Sequence, residues 1–179
     1  ASVGNLETYG LFPDMQDEFL RKFALDTFAK MYGGTGGKDP VMDFLGQTGR
    51  DALKGADILR TAPAKYSSTI EYAANPLAQS LRGAAQVMFA DIGTQVYYAQ
   101  HGSFDTHAGE LPAHESLWTD VSGAIGDFMD DMEEHNYADD AVIFIFSEFG
   151  RRVLDNGSGT DHGSGGMAFV IGNSVKGGM

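Results

Sequence analysis

Apolar residues recur every three or four positions over residues 14–32. Phe19, Leu20, Phe23, Ala24, Phe28 and Met31 fall on one side of a 3.6-residue period. That spacing predicts a helix, with Asp14 as its N-cap. The run GGTGGKD breaks it, and Asp39-Pro40 opens a second helix, because proline suits the first helical turn. Its apolar stripe is Val41, Phe44, Leu45, Thr48, Ala52, Ala56 and Leu59, and RTAPAKYSST then reads as a loop. A third helix follows Asn75-Pro76 through Leu77, Leu81, Ala85, Met88 and Ile92, stopping at Gly93. A fourth, over about 112–135, lines up Leu117, Trp118, Val121, Ile125, Phe128 and Met132. Its acidic end, DFMDDMEEH, sets negative charge against the C-terminal dipole, which predicts a fraying, solvated face.

Between and after these helices the period shortens. TQVYYAQHG is β-branched and aromatic and closes on glycine. AVIFIFSEF (141–149) is a continuous apolar run of the kind covered on both faces of a parallel sheet, and MAFVIG (167–172) is a third candidate strand. The order predicts an α/β class, a partial doubly wound, mostly parallel sheet flanked by helices. Residues 95–149 would form a right-handed βαβ unit. The whole chain reads as one incomplete domain, mainly helical over 1–93 and carrying the site over 94–179. Three strands are few for such a sheet. The expectation is therefore that the chain is the remainder of a longer protein, or that it builds a homo-oligomer through its open strand edges.

Charge narrows the partners. Twelve basic against 25 acidic residues give a formal charge of -13, which argues against nucleic acid and anionic membrane. A small anionic substrate stays compatible, since a metal or two arginines reverse the sign locally. The chain has no cysteine, which removes disulfides, thiolate zinc sites and cysteine nucleophiles. No apolar run approaches the roughly 18 residues of a membrane span.

Candidate chemistry gathers in three polar stretches at the expected carboxyl edge of the sheet. HGSFDTHAGE holds His101, Asp105, His107 and Glu110; Asp105 and His107 are two apart, so in extended chain both side chains point the same way. SEFGRR holds Ser147, Glu148, Arg151 and Arg152, and GTDHG holds Asp161 and His162. Mixed nitrogen and oxygen donors suit zinc, manganese or iron rather than calcium. The candidate ligands are Asp105, His107, Glu148 and His162, with Arg151 and Arg152 placed to clamp a phosphate or sulfate. Other motifs fail. GGTGGKD lacks the first glycine and the Ser/Thr of a phosphate loop, and Ser147 has Ile145 where a nucleophile elbow needs glycine.

Together, GSFDTHAGE and IFSEFGRRVLDNGSGTDHGSGGMAFVIGNSVKGG resemble the C-terminal half of a bacterial sulfatase-like family of unknown function in the alkaline phosphatase and sulfatase clan. The resemblance is dense from about Gln95 to Gly178. It implies an alkaline-phosphatase-like fold, export to the periplasm or beyond, and hydrolysis of phosphate or sulfate esters at a divalent metal, zinc or manganese. Asp105, His107 and His162 resemble ligands of one metal. Phe149 stands where that clan has a histidine ligand, so one metal site is expected rather than two. The clan's nucleophile lies on strands outside these residues. The alternative expectation is an exported binding or structural protein that keeps the fold without catalysis. A weaker third is a serine hydrolase built on Ser147.

Overall fold

The computed structural model describes residue 6, residue 15, residues 17–33 and residues 39–178. Among them are four helices, α1 (Glu18–Gly33), α2 (Pro40–Lys65), α3 (Pro76–Phe89) and α4 (Glu110–Glu134). Four short strands follow: β1 (Ile143–Ile145), β2 (Gly150–Asp155), β3 (Thr160–Gly163) and β4 (Phe169–Ile171). The chain divides into two compact units. One comprises residues 1–67 with 86–95, and the other residues 68–85 with 96–179.

In the first unit, α1 begins where Asp17 Oδ1 accepts from Leu20 N at 2.9 Å. The expected cap Asp14 and most of GGTGGKD lie outside the described residues. The second helix opens at Pro40 as expected, and Asp39 caps it, accepting from Val41 N at 2.9 Å. This helix runs through Pro63 to Lys65 rather than ending near Leu59, and the Tyr66 N–H closes it on the Pro63 carbonyl. Gly49 faces the Tyr32 ring so closely that a Cβ there would sit 2.5 Å from it, which lets α2 approach α1.

The second unit carries residues 76–85 of α3, all of α4 and the four strands. Asn75 caps α3 by accepting from Ala78 N at 2.8 Å. Leu77 and Ala78 of α3 pack against Val121 and Ala124 of α4, with Tyr72, Ala99, Phe104 and Ile145 closing around them. The acidic end of α4 is solvated only in part: Asp130, Glu133 and Glu134 are exposed as expected, but Asp131 is buried. Asp127, Asp131 and Glu134 recur at helical spacing and hold residues 68–73 along the helix. Glu134 accepts from Thr69 N and Oγ1, Asp131 from Tyr72 Oη at 2.7 Å, and Asp127 from Ala73 N at 3.0 Å. Asp131 is fully buried, with His135 Nδ1 3.1 Å from its other oxygen. These carboxylates can sit at this helix end because residues 68–73 bring hydrogen-bond donors to them.

The sheet corrects the expected fold class. Among the described residues there is no parallel, doubly wound sheet and no alkaline-phosphatase-like fold, but two antiparallel two-stranded sheets, β1 with β4 and β2 with β3. The βαβ unit over 95–149 is absent because TQVYYAQHG joins no ladder. AVIFIFSEF pairs only over Ile143–Ile145, in the register Phe144↔Val170. Its alternation explains the misreading: Ile145 packs on the core, while Phe144 and Phe146 stack on each other and stay more than half exposed. An apolar run shows that a strand can be covered twice, but not which strand lies beside it or in which direction. No helix among the described residues is long and apolar enough to cross a membrane.

Candidate metal centre

Two segments far apart in sequence build the cluster. One is the loop before α4, where Asp105 and His107 flank the buried Thr106. The other is the β2–β3 hairpin, which sets His162 opposite Arg151. They meet at Asp105 Oδ1. His162 Nε2 stands 2.7 Å from it, His107 Nε2 3.0 Å and Arg151 Nη2 3.6 Å. The two imidazole rings are 5.1 Å apart between centroids.

One donor atom from each of Asp105, His107 and His162 lies within 4.8 Å of the other two. Around a cation held at ~2.0–2.2 Å, neighbouring donors stand roughly 3.0–3.5 Å apart, so the two separations from Asp105 Oδ1 are already close to those of a shared ion. The three side chains are 56%, 49% and 50% exposed, so the cluster opens to solvent rather than closing into a structural knot. The hydrogen bond from His162 is the largest influence on Asp105. It outweighs desolvation, is joined by the charges of both imidazoles and Arg151, and holds the carboxyl below its usual value.

The hairpin grips the Asp105–His107 loop at several points. Arg151 donates Nη1 to the Thr160 carbonyl and Nη2 to the Phe104 carbonyl, and its side chain is only 16% exposed. Gly159 lies against the loop backbone, where a Cβ would come within 2.6 Å of the Thr106 oxygen. Ser158 accepts from Gly109 N at 2.9 Å through Oγ and from Glu110 N at 3.1 Å through its carbonyl. His162 is backed by Phe149, whose ring stacks on it at 4.6 Å and 10°.

Of the residues expected at the site, Asp105, His107 and His162 come together. Glu148 sits on an exposed bend between β1 and β2 and is outside the donor set. Arg151 touches the cluster, but its guanidinium is committed to main-chain carbonyls. Arg152, beside it on β2, is exposed and helps hold the Asp161 carboxyl below its usual value, behind the larger effects of Asn156 and His107. Ser147 accepts from Phe149 N at 3.3 Å in a local turn. His101 packs edge-on against Phe104 at 5.9 Å.

Two residues noted in the sequence, Asp161 and Phe149, take roles it did not assign, and a third, Asn156, was not singled out there. Asp161 faces His107 rather than joining His162, with Oδ1 3.2 Å from His107 Nδ1. Phe149, at a position where no ligand was expected, backs His162, and Asn156 ties the hairpin turn to the loop. A signal for the hairpin was present: Asn156-Gly157 is a turn dipeptide of antiparallel pairs. It was obscured because GRRVLD and TDHG lack the apolar alternation of ordinary strands.

No curated protein and no solved structure matches the chain. The family model that matches residues 14–179 is described as a protein of unknown function, DUF1501. This overturns the resemblance to a sulfatase-like family, for nothing in the match indicates such membership and the sheet that defines that clan is absent among the described residues. Short polar motifs such as DTH and TDHG carried the resemblance, and ligand-like triplets of this kind are compatible with more than one fold. The chain belongs to the DUF1501 family, whose function is unknown.

Proposed function

We propose that Asp105, His107 and His162 hold one divalent transition metal, zinc or manganese, and that the site acts in hydrolysis of a small anionic ester. The observation that carries this reading is the convergence of three donor atoms from two distant segments at one half-exposed point. Two imidazoles and a carboxylate suit zinc, and three protein ligands with solvent access are the pattern of reactive rather than structural sites. A cation there polarises an ester oxygen or lowers the pKa of a bound water. The exposed guanidinium of Arg152 is the cation on hand for the nonbridging oxygens of a phosphate or sulfate.

Metal content after incubation with zinc or manganese and desalting tests the first half. The expected result is one equivalent in the wild type and loss in His162→Ala; no stoichiometric metal in the wild type refutes the site. Turnover of aryl phosphates and sulfates that stops with chelator tests the second. A second reading, a metal-binding protein without catalysis, is favoured by the commitment of Arg151 to backbone carbonyls. Metal uptake without turnover selects it.

A further inference from the structure

The side chain of Asn156 joins three parts of the second unit at once. Its Oδ1 accepts from Ser158 N at 3.2 Å and Gly159 N at 2.9 Å, closing the hairpin turn. Backbone amides can only donate, so these two bonds fix which end of the amide is oxygen. Nδ2 therefore points the other way, where it donates to the His107 carbonyl at 3.1 Å and to Asp161 Oδ1 at 3.2 Å. That same Asp161 oxygen is the one facing His107 Nδ1. On its other side, His107 faces Asp105, which already receives the shorter contact from His162 Nε2 at 2.7 Å.

A metal-ligating imidazole needs its second nitrogen held by an acceptor, which fixes both tautomer and ring plane. We propose that Asn156 is a positioning residue for the metal centre: by aiming Asp161 at His107 and anchoring the His107 backbone, it keeps the proton on Nδ1 and leaves the Nε2 lone pair for the cation. This rests on the metal reading above. It adds that the turn of a hairpin, not the loop bearing the ligand, sets the ligand's chemical form.

Asn156→Asp separates the two halves of the side chain. It retains the oxygen that closes the turn and loses the donor to Asp161 and His107. A new carboxylate near the site would by charge alone tighten cation binding, whereas loss of the donor weakens it, so the sign of the change discriminates. The expected result is zinc affinity, read by competition with a chromophoric chelator, reduced about 10-fold or more. The neutral Asn156→Ser should fall similarly. Nitrogen-15 shifts of His107 in metal-free protein, at a pH where the ring is neutral, should show the Nδ1–H form in wild type and a tautomer mixture in both variants. Asp161→Asn should shift the tautomer in the same way. Unchanged or tighter zinc binding in Asn156→Asp overturns the proposal. So does weaker binding with an unaltered tautomer, which would mark a merely structural role. If the wild type takes up no metal, the metal reading fails and the shifts alone judge Asn156: a mixture confined to the variants supports it, one tautomer throughout overturns it.

Discussion

His162 Nε2 lies 2.7 Å from Asp105 Oδ1, although the two residues are 57 positions apart. The contact makes one carboxylate oxygen the shared partner of two imidazoles, and it is the geometric centre of the candidate site. Asp105→Asn keeps the shape and removes the charge. Its metal affinity is expected to fall further than the ~10–100-fold that follows loss of an outer-shell partner. Calorimetric titration with zinc checks this, and retention of wild-type affinity would remove Asp105 from the ligand set.

Arg151 is expected to matter for folding before it matters for any ligand. Its two donated bonds join the loop carbonyl of Phe104 to the hairpin carbonyl of Thr160. Lysine carries the charge but cannot span both acceptors with a rigid fork. Arg151→Lys should cost about 2–3 kcal/mol in urea unfolding, as expected for hydrogen bonds from a charged donor. Arg152→Lys, at the exposed neighbouring position, should leave the unfolding midpoint within about 0.5 kcal/mol of wild type. Equal effects from both would contradict the assignment.

Phe149 supplies a flat apolar wall to His162 at 4.6 Å. Aromatic pairing of this kind contributes about 0.5–1.5 kcal/mol beyond burial. Phe149→Leu keeps apolar bulk without the ring face, and should weaken metal binding by up to roughly tenfold while the chain stays folded. Phe149→Tyr should be neutral. Metal titrations of the two variants side by side decide it.

Glu134 gives a stability signature in acid. Hydrogen bonds from the Thr69 side chain, then the Thr69 backbone, hold its carboxyl below the ordinary value of 4.5, with Ser68 assisting. A group whose folded value is depressed stabilises the fold above its unfolded value, and loses that contribution as pH falls through the folded one. Wild type should therefore be more stable than Glu134→Gln at pH 7. The gap should begin to close below pH 4.5 and vanish once the depressed folded value is passed. Thermal melts of both proteins across that window measure it; a gap independent of pH would show that the charge is not what Thr69 recognises.

Local features were legible in the residues themselves. The proline openings of α2 and α3 and the body of α4 follow from side-chain and backbone sterics within a turn or two of helix. Asp105 and His107 were recognisable as a pair because two residues in extended chain share a side. What the tertiary structure decided is which distant segments meet. β1 could equally have lain beside a parallel neighbour, and only its pairing with β4 makes the sheet antiparallel. The acidic end of α4 has the composition of a wet surface until residues 68–73 bring their donors to it. Arg151, Asn156 and Asp161 acquire their roles only when the hairpin folds over the loop. A residue type specifies the bonds it can make; the partner is chosen by chain closure over tens of residues, and that choice is not written at either end.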